Sequence, residues 1–288
     1  MKVLVTGGTG VVGTAAVSAL VGAGHSVRLL ARHARADARQ WPTGVDAWPG
    51  NVADPQSIHG AANGCAVVLH LAGIVDETPP EATFQRVNVD GTRHVVEEAA
   101  RSGLARVVHV SSLGADRGES GYHRSKREAE AIVRAYRGKW TILRPGNVYG
   151  PGDEQISLLL RMVRTLPAVP VIGGGDQPVQ PAWHEDIAAA LLRVVERGDL
   201  DGRVLELAGG DLTSQKDLID RLSEITGRHV RKLPLPELLA STGMKALGLV
   251  GIDFPLSEGQ LTMLGEGSRI DPARENDLVT TLGIEPTP

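Results

Sequence analysis

The chain opens on a short apolar run, Lys2–Thr6, that passes straight into Thr6-Gly7-Gly8-Thr9-Gly10-Val11-Val12-Gly13 and then into a helix-forming stretch. No other feature constrains the fold as strongly. Glycines at 7, 10 and 13 allow a tight turn, close approach of a pyrophosphate to backbone, and close packing of a helix on its strand. A helix opening at Val11 also offers free N–H groups and a partial positive charge to a phosphate. Read between strand and helix, the spacing assigns Gly7, Thr9, Gly10, Val11, Val12 and Gly13 to a dinucleotide cradle. Without those flanks a glycine triplet would be no more than a turn.

The chain beyond the cradle is consistent with it. Short β-like runs at Val27–Ala31, Val45–Trp48, Ala66–Leu71, Arg106–Ser111, Trp140–Arg144 and Arg203–Leu207 alternate with helical patterns at Val11–Val21, Pro80–Arg101, Gly121–Arg137, Ile156–Arg164 and Asp186–Arg197. Alternation of this kind builds parallel sheets from βαβ units. The strands are apolar on both faces, as helices on both sides require. The expected fold is α/β: a Rossmann-type doubly wound parallel sheet with a smaller C-terminal substrate-binding lobe. Residues 1–150 form the dinucleotide-binding part, 178–212 return to it, and 151–288 are mainly the lobe.

At 288 residues the chain can bury one large core plus a small one. A net charge of −4 gives no reason to expect nucleic acid as a partner. The apolar stretch from Leu233 to Met263 is interrupted by Pro234, Pro236, Lys245 and Pro255, so no membrane insertion is expected. The start shows no signal-peptide pattern, and the single cysteine, Cys65, suits a reducing compartment, so a cytoplasmic location is expected. Cys65 precedes the run Ala66-Val67-Val68-Leu69 and reads as a small buried hydrophobe rather than a nucleophile. No metal site is expected. A small-molecule substrate is, and a homodimer is left open.

The end of the second strand bears on the choice of cofactor. NAD sites carry an acid there for the ribose 2′-hydroxyl. This chain has Leu30-Ala31-Arg32-His33-Ala34-Arg35, with Asp37 the nearest acid. A guanidinium pairs with a 2′-phosphate, so Arg32 favours NADP(H) over NAD(H). The plainer alternative is a solvated basic face made by Arg32, Arg35 and Arg39.

A second cluster carries chemistry. The run Val107–Ser112 ends in two hydroxyls, and ten positions later comes Tyr122-His123-Arg124-Ser125-Lys126. Tyrosine and lysine four apart share one face of a helix. An ammonium beside a phenol is expected to lower its pKa toward working pH, so that Tyr122 can exchange a proton with a substrate oxygen that Ser112 also binds. Taken alone, such a pair is common by chance.

With these blocks in view, the chain resembles the extended branch of the short-chain dehydrogenase/reductase superfamily over about its first 190 residues. The resemblance rests on Thr6–Gly13, Leu69-His70-Leu71-Ala72-Gly73, Asn88-Val89-Asp90-Gly91-Thr92, Ser111-Ser112, Tyr122-x-x-x-Lys126 and Leu143-Arg144-Pro145-Gly146-Asn147-Val148-Tyr149-Gly150-Pro151. It is similar to members like the 3β-hydroxysteroid dehydrogenases and to the NADPH-binding accessory subunit of respiratory complex I. The resemblance implies a catalytic set of Ser112, Tyr122 and Lys126 supported by Asn88, with Lys126 also on the nicotinamide ribose. It implies Asn51 and Val52 at adenine, Leu71, Ala72 and Gly73 along the cofactor, and Pro145, Gly146, Asn147 and Val148 beside nicotinamide.

One departure concerns the substrate. Sugar-nucleotide members carry an arginine on the diphosphate where this chain has Val179, which argues against such a substrate. The leucines from Leu235 to Leu264 suit an apolar pocket and ordinary core packing equally. The expectation is an NADPH-dependent oxidoreductase that reduces a carbonyl or oxidises a secondary alcohol. A cofactor-binding assembly or sensor protein is the alternative, and an NAD-dependent epimerase or dehydratase is a weaker one.

Overall fold

The computed structural model describes residues 1–37, 41–153, 155–172, 174–235, 266 and 268–287. Seven parallel strands form the main sheet: β1 (Lys2–Thr6), β2 (Ser26–Ala31), β3 (Val45–Pro49), β4 (Val67–His70), β5 (Arg106–Val110), β6 (Lys139–Pro145) and β11 (Arg203–Leu207). Their order across the sheet is β11-β6-β5-β4-β1-β2-β3. Chain direction across the sheet reverses between β1 and β4, which pair from Val3↔Val67 to Thr6↔His70. Such a reversal opens a crevice beyond the carboxyl ends of the strands, where ligands of this architecture sit.

Helices cover both faces, as the two-sided apolar strands require, and a short one, α2 (Ala34–Asp37), follows β2. On one face α1 (Val11–Gly22) packs against α6 (His184–Glu196), burying Leu20, Leu191 and Val194 against Val3, Val5 and Leu205. On the other, α3 (Gly91–Arg101) and α4 (Gly121–Arg134) cover Leu4, Val68, Val107 and Ile142. Cys65 is half-buried beside this second core, and burial pushes its thiol up.

Two boundaries differ from the sequence expectation. The helix expected from Pro80 begins only at Gln85, as a π-helical segment (Gln85–Asp90) that runs into α3. Before it, Thr78 and Ala82 form an antiparallel bridge. The helix at Gly121 stops at Arg134, and Tyr136 turns back so that its hydroxyl donates to the Leu104 carbonyl.

Among the described residues, short pairs rather than a second large sheet lie beyond β6. β7 (Val148–Tyr149) runs beside β10 (Ala182–Trp183), and β9 (Pro178–Val179) pairs with β12 (Thr213–Ser214). β8 (Ala168–Ile172) pairs with β13 (Arg231–Leu235). With α5 (Gln155–Thr165) and α7 (Gln215–Thr226), β8 encloses a small separate core of Met162, Val163, Val169, Val171 and Ile219. The chain then returns to the main sheet once more: α8 (Asp277–Thr280) lies on β11, and Leu278, Leu282 and Ile284 join the larger core. Of the expected apolar tail, every position after Leu235 as far as Leu264 lies outside the described residues, as does Arg39.

Candidate active site

The glycine loop is built by contact, not preference. Gly7 has φ 73, and a β-carbon on it would lie 2.5 Å from the Ala72 nitrogen. One on Gly13 would lie 2.1 Å from the Gly7 carbonyl oxygen, so side chains are barred at both places. Gly10 is different, because its nearest such neighbour stands at 3.6 Å, facing open space. Gly10 caps α1 without a capping side chain, and no acid occupies the first turn. The N–H groups of that turn therefore face the crevice uncompensated, and this suits a pyrophosphate.

A cleft of about 510 Å³ runs from this loop to the catalytic candidates. Gly7, Thr9, Gly10, Val11, Val12 and Gly13 line one end, and Leu71 and Gly73 line its flank. Ser112, Tyr122 and Lys126 line the other end opposite Pro145, Gly146, Asn147 and Val148. The backbone zips these loops together. Ser111 N donates to Leu143 O at 2.7 Å, Leu113 N to Pro145 O at 2.8 Å, and Gly146 N to Leu207 O at 2.8 Å.

Helix α4 begins at a Ser120 cap whose hydroxyl accepts from His123 N at 3.2 Å. This places Tyr122 in the first turn and Lys126 one turn on, buried with its Nζ donating to the Val110 carbonyl at 2.8 Å. Burial pushes the Lys126 ammonium down to about 8, while the charge of Glu130 acts in the opposite sense. The phenol departs from expectation. Burial raises its pKa, and a hydrogen bond with Ser112 opposes this. The ammonium is directed to the Val110 carbonyl, so desolvation outweighs any help that Lys126 gives the phenolate.

Asn88 lies apart from the cleft lining and works from below. Its Oδ1 accepts from Ile74 N at 2.8 Å, and its Nδ2 donates to Ile74 O at 3.0 Å and to Ser125 Oγ at 2.9 Å. It clasps the cleft-lining loop at 73–75 to α4.

Four other expected cofactor residues stand outside this cleft lining. Arg32 is exposed just past the end of β2, beside His33 and Arg35. Asn51 is exposed, with its Oδ1 engaged by Ala53 N at 3.0 Å. Val52 packs its side chain in the core, and its carbonyl accepts from the His94 ring at 2.8 Å. Ala72 abuts Gly7. The sequence reading missed Ile74, Val75, Pro151, Gly152, Asp153 and Gln155, which also line the cleft. Pro151 closes the Leu143–Pro151 block and Gln155 opens α5, whereas the other four carry no residue pattern that separates them from ordinary turns.

Under the site lies a layer of uncharged polar groups. His70 bridges the Thr6 hydroxyl at 2.6 Å and the Thr92 hydroxyl at 3.0 Å. Burial, reinforced by the Lys126 charge, pushes the His70 imidazole down to about 3, and His109 beside it, with ring centroids 5.1 Å apart, is lowered by the same causes. Among the described residues no cluster of His, Cys, Asp or Glu is arranged to hold a metal ion, and no helix is long and apolar enough to cross a membrane.

Against known proteins, the profile of the NAD dependent epimerase/dehydratase family matches residues 3–208. The chain belongs to that family. It is 36% identical over 236 residues to the ceramide reductase of Caulobacter vibrioides, covering 82% of this chain and 74% of that protein. It is 30% identical over 320 residues to sterol demethylase protein B of Methylococcus capsulatus, covering 100% of this chain and 94% of that protein. The fold is also that of the NADPH-dependent quinone oxidoreductase QOR2 of Escherichia coli, solved with NADPH, at TM-score 0.77 and 22% identity, covering 99% and 96% of the two chains. The chain is accordingly an NAD(P)-dependent oxidoreductase of the short-chain dehydrogenase/reductase type, acting on a small-molecule substrate.

Proposed function

We propose that this enzyme uses NADPH to reduce the carbonyl of a small apolar substrate, or runs the reverse oxidation of a secondary alcohol. The observation that carries the reading is the single cleft joining the glycine loop to Ser112, Tyr122 and Lys126. Bound there, the nicotinamide supplies or accepts hydride. The protein's part is the proton. Burial keeps the Tyr122 phenol protonated well above neutral pH, which is the form needed to donate to a carbonyl oxygen as it gains charge. Ser112 would share that oxygen and fix its direction, and Lys126 would hold the nicotinamide ribose.

The exposed guanidinium of Arg32 at the end of β2 supports the choice of NADPH. Support for an apolar substrate comes from the cleft walls, which include Ile74, Val75, Val148 and Pro151. Lys126 and Asp153 are the only charged residues in its described lining. Val179 is buried in the β9–β12 pair and offers nothing to a diphosphate. The names of the two relatives, a ceramide reductase and a sterol demethylase protein, agree with this.

The test is NADPH oxidation with long-chain 3-oxo lipids, compared with sugar-nucleotide ketones and small polar ketones. Turnover confined to the apolar carbonyls is expected. Turnover only on sugar nucleotides would overturn the substrate class, and firm NADPH binding without turnover on any carbonyl would favour a binding protein.

A further inference from the structure

Lys126 sits in a pocket that should cost it its charge, yet α4 supplies one counter-charge and the sheet braces it. Glu130 lies one turn beyond Lys126 on the same helix face and is as deeply buried. The Arg144 guanidinium grips it from β6 with two bonds, Nε to Oε1 and Nη2 to Oε2, each 2.8 Å. Arg134 reaches Oε2 from outside at 3.2 Å. The remaining Nη1 of Arg144 meets Asp116 at 3.0 Å and Glu206 at 3.3 Å, and Arg274 from the C-terminal segment bridges the same two acids. Glu130 is thus locked in place and ionised: burial opposes the carboxylate, but the Arg144 fork holds it below the ordinary range.

Of the other elements packed here, β6 brings a cation, Arg144, whose guanidinium is shared among the carboxylates of Glu130, Asp116 and Glu206. β4 and β5 contribute His70 and His109, both held neutral, the π-helical segment contributes the Asn88 amide, and α4 itself contributes the protonated Tyr122. Among the described residues Glu130 is the one anion that acts on this ammonium.

We propose that Glu130 is a positioning residue for Lys126: its carboxylate, fixed by the Arg144 fork, keeps the buried lysine charged and aimed at the Val110 carbonyl. The role rests on the reading of Lys126 as the ribose-holding lysine. Arg144 and the acids beyond it act through Glu130, so the C-terminal segment that carries Arg274 braces the site without touching it.

The test is NADPH affinity of the full chain measured from pH 6 to 10, by nicotinamide fluorescence, in wild type, Glu130→Gln, Glu130→Asp and Arg134→Ala. Wild type should lose affinity as pH rises past about 8, where Lys126 gives up its proton. Removing a neighbouring opposite charge should move that limb about one unit lower in Glu130→Gln, leaving affinity near wild type at pH 6 and about fivefold weaker at pH 8. Glu130→Asp keeps the charge one methylene further back and should shift the limb less. Arg134→Ala, which strips a cation from Glu130 and leaves its carboxylate in place, should not move the limb to lower pH. An unchanged limb in a folded Glu130 variant would overturn the proposal, as would failure of both Glu130 variants to fold, which would mark a purely structural pair. If wild type itself shows no limb, the reading of Lys126 fails rather than the role of Glu130.

Discussion

Gly73 lies so close to Lys126 that a β-carbon on it would stand 3.4 Å from Nζ, and 3.2 Å from Oδ1 of Asn88. The backbone of the cofactor-flanking loop, the amide that clasps it and the lysine beneath it form one packed unit. Gly73→Val should leave the sheet intact and displace Nζ. A displacement approaching 1 Å at such a site can cost about 10²-fold in rate. Nicotinamide fluorescence should show weakened binding with an unchanged circular dichroism spectrum.

At Gly10 the open space toward the crevice makes a sharper case. Gly10→Val meets no protein atom that must move, so Tm should stay within a few degrees of wild type while NADPH binding is lost. Gly13→Val should instead destabilise the fold, because its β-carbon runs into the Gly7 carbonyl. Calorimetry with and without NADPH separates the two. Normal binding by folded Gly10→Val would remove the pyrophosphate from this loop.

Arg32 predicts a preference. Titration of NADPH and NADH into wild type and Arg32→Ala should show NADPH favoured in wild type, with the preference reduced about tenfold or more in the variant, as expected for loss of a charge-assisted pair. An unchanged ratio would reassign Arg32 to a solvated surface.

Much of this was legible because it is local. The strands read as β-branched runs, the glycine loop as a fixed spacing, and Tyr122 and Lys126 as neighbours one helical turn apart. Long-range closure was not legible. Nothing around Arg144 says that it will grip Glu130 on α4, and nothing in Asp277–Leu282 marks a four-residue helix that returns to β11. The phenol of Tyr122 misled for the same reason. The sequence places an ammonium near it, but only the packing shows that ammonium turned to the Val110 carbonyl and the ring desolvated.

The buried histidines give the fold a pH dependence with a definite sign. His70 and His109 take up protons near 6.5 when unfolded but resist them when folded. Their contribution is therefore complete above about pH 6.5 and is lost as pH falls below it. At pH 5 the loss should be roughly 1–2 kcal/mol for His70, lowered to about 3, with His109 acting in the same direction. The ring nitrogens of His109 have no hydrogen-bond partner among the described residues, so His109→Leu should fold and lose less stability between pH 7.5 and pH 5. Urea unfolding at the two pH values measures this, and an equal loss in the variant would contradict it.

The central claim is that Tyr122 donates the proton. Tyr122→Phe removes one oxygen, keeps the ring beside Phe84, whose centroid is 6.1 Å away, and leaves Lys126 in place for the cofactor. The deciding measurement is NADPH oxidation by wild type and Tyr122→Phe on the best apolar ketone, with NADPH affinity measured on the same samples. Loss of a positioned general acid should lower kcat by about 10² to 10⁴-fold with affinity nearly unchanged. Equal turnover by the two proteins would contradict the account.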